Sequence, residues 1–226
     1  MNMNPLGDSA IMIRFDDNIT FETHQKVMIL AARLQERPFP GMIEFVPAFT
    51  TVTIYYNPIH LTYQEAYAAL EPMVAELEVS SERTSRIVEI PVCYGGKFGP
   101  DLDFVATHNR LTTDEVIQIH SEAEYLVYMI GFAPGFPYLG GMSERIKAPR
   151  RSSPQLTIPM GSVGIAAQQT GVYPIETPGG WQLIGRTPEA LFRPHESPPS
   201  LLHAGDRVRF RPISPEEYHQ WKGVTS

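Results

Sequence analysis

The sequence predicts an α+β protein in two parts: a ferredoxin-like α/β domain over about residues 1–85, then a β-barrel domain over residues 86–226. Three observations carry this. Hydrophobic period switches between 2 and 3.6 in the order β-α-β-β-α-β up to Val92. From Tyr125 onward the pattern becomes short strands broken by Gly/Pro turns, the cadence of a closed or nearly closed barrel. Hydrophobic residues make up 42% and charged residues 19%, so both parts have material for a core.

Ala10–Phe15 alternates, with Ile11, Ile13 and Phe15 on one face, and reads as a strand. Thr20 caps a helix whose Val27, Leu30, Ala31 and Leu34 fall at i, i+3, i+4 and i+7; Pro38, Pro40 and Gly41 end it. Residues 42–46 and 51–56 are strands rich in β-branched and aromatic side chains. Thr62 and Glu65 have capping-box spacing ahead of an apolar stripe from Ala66 to Leu77, which Pro72 should kink or shorten. A polar segment, residues 80–85, leads to a strand at 87–92 that closes the first domain or borders the second. Short helices follow at 101–109 and 112–121, the latter with a capping box from Thr112 to Glu115. Barrel strands are expected at 125–130, 156–159, 162–167, 181–185 and 206–211, and a terminal helix at 215–221.

The formal charge of −7 argues against nucleic acid, which needs a basic footprint. A single cysteine, Cys93, cannot form an internal disulfide, and no signal-peptide or membrane-spanning pattern is visible. A cytoplasmic protein with no membrane partner is expected. No phosphate loop surrounds Lys97, no two histidines stand at i, i+4, and Gly161-Ser162-Val163-Gly164 lacks the nucleophile-elbow spacing. Cys93, in an apolar strand, reads as a small buried hydrophobe.

The chemistry concentrates between Tyr125 and Arg186, where Gly and Pro alternate around aromatics and specify rigid loops. Phe132, Phe136, Tyr138, Tyr173 and Trp181 suit the walls of a small-molecule pocket; Ser162, Gln168, Gln169, Thr170 and Arg186 suit its polar points. His120 ends a helix just before this stretch, within reach of the pocket mouth for proton transfer, or else merely caps that helix. Arg150 and Arg151 offer guanidinium forks for a carboxylate.

Three segments carry a resemblance: HSEAEYLVYMIGFAPGFPYLGGM, PRRSSPQLTIPMGSVGIAAQQTGVYPIETPGGWQLIGRTP and AGDRVRF. Across about residues 86–212 they resemble the family of the 5-oxoprolinase B subunit, also called KipI. That family overlaps with allophanate hydrolase subunit 1 and the first half of the urea carboxylase carboxyltransferase domain. Met160 stands where the family commonly has a small residue, and Gln155 where it has a second arginine.

The resemblance implies a cyclophilin-like barrel after the α/β domain. It also implies a complex with a homologous C subunit and an unrelated A subunit. It implies ATP as co-substrate in opening 5-oxo-L-proline to L-glutamate, with no metal or biotin bound to this chain. On that reading His120, Gln169 and Thr170 are catalytic. Phe136, Tyr138, Ser162, Gln168, Tyr173, Trp181, Arg186 and Arg150 bind substrate. Two other functions compete: inhibition of a sensor histidine kinase, and half of a urea-type carboxyltransferase.

Overall fold

A computed structural model describes residues 1–75, 77 and 86–221; residues 80–85 of the expected polar segment lie outside them. Contacts divide the chain into two compact units, Met1–Thr84 and Ser85–Ser226.

The first unit is a four-stranded antiparallel sheet with two helices. Its strands are β1 (Asn2–Pro5), β2 (Ala10–Arg14), β3 (Met42–Pro47) and β4 (Thr51–Tyr56), in the order β1-β2-β4-β3. Alternation puts Ile11, Ile13, Val52, Ile54 and Tyr56 on one face. There they meet Val27, Leu30 and Leu34 of α1 (Phe21–Glu36) and Ala66, Leu70 and Val74 of α2 (Tyr63–Ala75). Burying each such Val, Leu or Ile is worth about 1.5–3 kcal/mol.

The caps form as expected. The Thr23 amide donates to Thr20 Oγ1 at 3.1 Å, and the Thr62 amide donates to Glu65 Oε2 at 2.8 Å. α2 runs through Pro72, and Arg33 Nη1 ties its end to α1 by donating to the Met73 carbonyl at 2.8 Å.

The sheet differs from the expected order in one strand. Its fourth strand is Asn2–Pro5, paired with Ala10–Arg14, and not residues 87–92. That segment is β5 (Ile87–Tyr94) of the second unit, where it runs parallel to β13 (Arg207–Pro212). Its Ile90, Val92 and Cys93 are all buried there.

The second unit is a closed seven-stranded barrel. In chain order the remaining strands are β6 (Glu124–Ile130), β7 (Pro137–Gly140), β9 (Ser162–Ala166), β10 (Gln169–Val172) and β12 (Gln182–Arg186). They close in the order β10-β7-β6-β13-β5-β12-β9, with β9 pairing back to β10. Closure leaves the barrel without an exposed edge.

A separate two-stranded ribbon joins β8 (Gln155–Ile158) to β11 (Thr177–Gly179). Tyr125, Val127, Leu139, Val163, Ile165, Ile184, Val208 and Phe210 fill the barrel core. α3 (Leu102–Asn109) and α4 (Thr113–Glu122) add Val105, Ala106 and Val116. A terminal helix, α5 (Pro215–Gln220), is present as the pattern predicts. Among the described residues no helix is long and apolar enough to cross a membrane.

Candidate functional site

On this barrel four aromatic rings gather around Phe136. Phe132, Tyr138, Tyr173 and Trp181 each meet it at an angle of 66–87°, with centroids 5.3–5.7 Å away. Such edge-to-face geometry is the favoured arrangement of aromatic quadrupoles. The packing depends on Gly171 of β10. A Cβ there would stand 3.1 Å from the Phe136 ring and 3.2 Å from Trp181, so a side chain would push both rings outward by a few tenths of an ångström.

The cluster borders a pocket of about 160 Å³, lined by Phe132, Phe136, Tyr138, Arg150, Tyr173, Trp181 and the Pro178–Gly180 backbone. Arg150 is its cation. It is exposed, with no hydrogen bond or ion pair among the described residues, and its charge acts on the Tyr173 phenol. Burial pushes the Tyr173 hydroxyl up to about 12, against the Trp181 amide and Arg150, which favour the phenolate; it is a neutral phenol at physiological pH. The pocket can therefore hold a compact apolar body against its rings and an anionic group at one rim.

Arg150 is held in place through its neighbour. The Arg151 guanidinium pairs with Asp101, and the Arg151 amide donates to the Gly180 carbonyl at 2.7 Å. Asp101 in turn accepts the Leu183 amide at 2.8 Å. Loop 149–151 is thus pinned to the strand carrying Trp181's neighbours, and one arginine of the pair is left available.

At Phe132 the backbone is strained. The Ala133 amide donates back to the Gly131 carbonyl at 2.8 Å, and φ of Phe132 is +69°. This is a γ-turn with a positive central φ, the rare and strained hand, on a bulky aromatic.

The other expected site residues lie elsewhere. His120 is fully buried in the barrel, stacked on Phe210 at 4.5 Å, and does not reach the pocket mouth. Thr170 is also fully buried, and its Oγ1 donates to the Gly164 carbonyl at 3.1 Å. Thr170 must then accept from His120 Nε2–H at 2.9 Å, which leaves Nδ1 to accept from the Tyr94 hydroxyl at 2.7 Å. The network fixes the tautomer. Burial pushes His120 down to about 3, so it is neutral and does not act as a charged cap on the helix dipole either.

Ser162 is buried and donates to the Pro159 carbonyl at 2.7 Å. The amides of Gly161 and Ser162 go to the Tyr173 and Pro159 carbonyls, so they are not free for an oxyanion. Gln168 reaches Glu144 at 3.3 Å, and Gln169 opens β10 opposite Ala166. Arg186 Nε donates to the Met160 carbonyl at 2.8 Å and so braces a loop without lining the pocket. Of the expected substrate-binding set, the structure brings together Phe136, Tyr138, Tyr173, Trp181 and Arg150.

Residues 1–202 match the family described as carboxyltransferase domain, subdomain C and D. The B subunit of 5-oxoprolinase from Bacillus subtilis (strain 168) is 56% identical over 227 residues, covering 96% of this chain and 95% of that protein. The chain belongs to this family. The B subunit of 5-oxoprolinase from Escherichia coli O157:H7 is 44% identical over 208 residues, covering 92% and 94%. The crystal structure of TTHA0988 superposes with a TM-score of 0.80 at 35% identity, over 91% of this chain and 40% of that one.

Asp101 is a member of the site that sequence patterns miss. An aspartate before a helix reads as an N-cap, yet Asp101 makes no side-chain cap bond and serves Arg151 and Leu183 instead. The Pro178–Gly180 rim is legible in the sequence only as a turn.

Proposed function

We propose that this chain is the B subunit of an ATP-dependent 5-oxoprolinase, acting with the A and C subunits to open 5-oxo-L-proline to L-glutamate. One observation carries the reading: the end-to-end 56% identity to a protein of that name, on a chain that folds into an aromatic pocket with one unpaired arginine. The pocket's chemistry supports it. A five-membered lactam is a compact, mostly apolar ring, and its carboxylate matches the bidentate fork of Arg150. We also read the barrel as cyclophilin-like. The first unit is a ferredoxin-like layer whose edge strand comes from the N-terminus, a reading supported by its β1-β2-β4-β3 order.

A lactam carbonyl is a weak electrophile. In the proposed reaction its oxygen attacks the γ-phosphate of ATP and ADP leaves. Water then adds to the carbon of the O-phosphorylated lactam. The ring C–N bond of that adduct then breaks, the nitrogen taking a proton as the amine of γ-glutamyl phosphate, and a second water hydrolyses this acyl phosphate to phosphate and the γ-carboxylate of glutamate. This chain positions the ring against Phe136, Tyr138 and Trp181 and holds the carboxylate at Arg150, which counts as orientation. Apart from Arg150, the side-chain polar groups that line the pocket among the described residues are the Tyr138 and Tyr173 hydroxyls and the Trp181 indole. Phosphoryl transfer and water activation therefore fall to groups on the partner subunits. Such a complex belongs in the cytoplasm, in keeping with a single buried cysteine.

The test is glutamate release from 5-oxo-L-proline with ATP, using this protein alone and then with its co-encoded A and C subunits. Turnover in the full mixture only is the expected result. No turnover in any mixture of folded proteins refutes the assignment and leaves the kinase-inhibitor function to be assayed.

A further inference from the structure

We infer that Phe132 is a specificity-determining wall of this pocket: its strained turn presents the ring over the mouth, where it closes on a compact cyclic acid paired with Arg150. The inference rests on the pocket being the 5-oxo-L-proline site and names the residue that limits what the site accepts.

The backbone makes the first half of the case. Phe132 holds φ at +69° between Gly131 and Gly135, either of which would adopt that conformation with far less strain. The loop is closed on itself around it. The Gly131 amide donates to the Phe136 carbonyl at 3.1 Å, the Ala133 amide to Gly131 at 2.8 Å, and the Phe136 amide to Ala133 at 3.0 Å. Three hydrogen bonds over six residues fix the turn, so the ring's direction is set before any ligand arrives.

The ring makes the second half. Phe132 is 66% exposed, while Phe136, Tyr173 and Trp181 of the same cluster are 2%, 2% and 7% exposed. It meets the cluster at Phe136, edge to face, at 5.4 Å and 74°. A large apolar ring in water and a bulky residue at positive φ both destabilise the fold, and both sit on one side chain. The Phe136 contact covers only part of the ring, whereas a ligand in the pocket buries more of it. Costs concentrated at a pocket rim are the mark of a residue kept for its ligand.

The geometry also sets a direction for selectivity. Phe136 and Trp181 line the pocket from buried positions and Pro178–Gly180 also line it, so the exposed Phe132 ring is the wall that limits ring size. Removing it should weaken the grip on a five-membered lactam acid and favour a six-membered one.

The experiment uses the reconstituted complex with wild type, Phe132→Ala and Phe132→Gly. It measures kcat and KM for 5-oxo-L-proline and for 6-oxopiperidine-2-carboxylate. The Tm of each chain is recorded, and binding of 5-oxo-L-proline to each complex without ATP is followed by ligand-observed NMR. Both variants should raise KM for the five-membered ring about tenfold, with the kcat/KM ratio moving about tenfold toward the six-membered ring. For the five-membered ring kcat should stay within about threefold, because binding and not chemistry is disturbed. Phe132→Gly should melt at or above the wild-type temperature, since glycine relieves the turn.

Unchanged KM and unchanged ratio in an active complex overturn this inference alone and leave the function standing. A wild-type complex that neither binds nor turns over 5-oxo-L-proline overturns the function and this inference together. A lowered Tm in both variants with unaltered selectivity makes Phe132 a scaffold residue and overturns the inference as well.

Discussion

Acidification should destabilise the barrel through His120. The imidazole is fully buried, and desolvation lowers it from 6.5 to about 3 in the folded chain. As pH falls through about 6.5 the unfolded chain binds a proton that the folded chain refuses, so stability is lost from there down to about pH 3. Each pH unit in that window costs about 1.4 kcal/mol, hence about 2 kcal/mol between roughly pH 6.5 and pH 5. Above about pH 5 the lowered carboxylates add little to this slope. Glu115, Glu124 and Glu216 are held below 4.5 by hydrogen bonds from Thr112, from Arg207, and from the Glu216 amide with Ser214, so their contribution is lost at lower pH.

His24, lowered to about 4 by burial, lies in the first unit. Both tryptophans, Trp181 and Trp221, lie in the second, so tryptophan fluorescence reports from the barrel unit. Urea unfolding read this way at several pH values should give the slope in wild type and lose most of it in His120→Gln. A wild-type slope no steeper than the variant's refutes the assignment of His120 as a buried neutral base.

Other outcomes follow from the same contacts. Thr170→Val keeps the shape but leaves His120 Nε2–H and the Gly164 carbonyl without their partner; it should cost about 2–3 kcal/mol in urea unfolding, and a loss under about 0.5 contradicts the network. Gly161→Ala meets both a φ of +82° and a Cβ position 2.3 Å from the Thr187 carbonyl oxygen, so Tm should fall by several degrees, about 2 kcal/mol or more. Arg150→Ala should raise KM for 5-oxo-L-proline about 10–100-fold in the reconstituted enzyme with little change in kcat, and Arg150→Lys should recover only part of it. An unchanged KM places the carboxylate elsewhere.

Several features are readable because their causes are local. Thr20 announces a helix start as a cap residue, Thr62 and Thr112 do so by capping-box spacing, and all three caps form. Alternation over residues 10–15 and the β-branched and aromatic content of residues 51–56 announce strands, since successive side chains in a strand face opposite ways. Strands such as Asn2–Pro5, Pro137–Gly140 and Gln169–Val172 carry no such signal. They are four residues long, carry Pro or Gly, and are strands only because a partner supplies the hydrogen bonds. The aromatic members of the site are legible from their density among Gly and Pro, and five rings do converge.

The polar members are not, and the contrast between Arg150 and Arg186 shows why. Arg150 follows Pro149 in a loop while Arg186 ends β12 within a Gly/Pro-rich run, and by composition Arg186 has the better surroundings. Folding gives Arg186 the Met160 carbonyl, while Asp101 claims Arg151 and leaves Arg150 at the pocket. His120 and Thr170 look reactive as isolated residue types, and tertiary packing turns them into a closed hydrogen-bond chain with Tyr94. By itself the sequence determined the capped helices, the alternating strands and the aromatic density between residues 125 and 186, because these depend on residues close to one another in the chain. Which strand edge β5 joins, where each polar group finds its partner and which cation stays unpaired were decided only by contacts between residues tens of positions apart, a matching that no local pattern encodes.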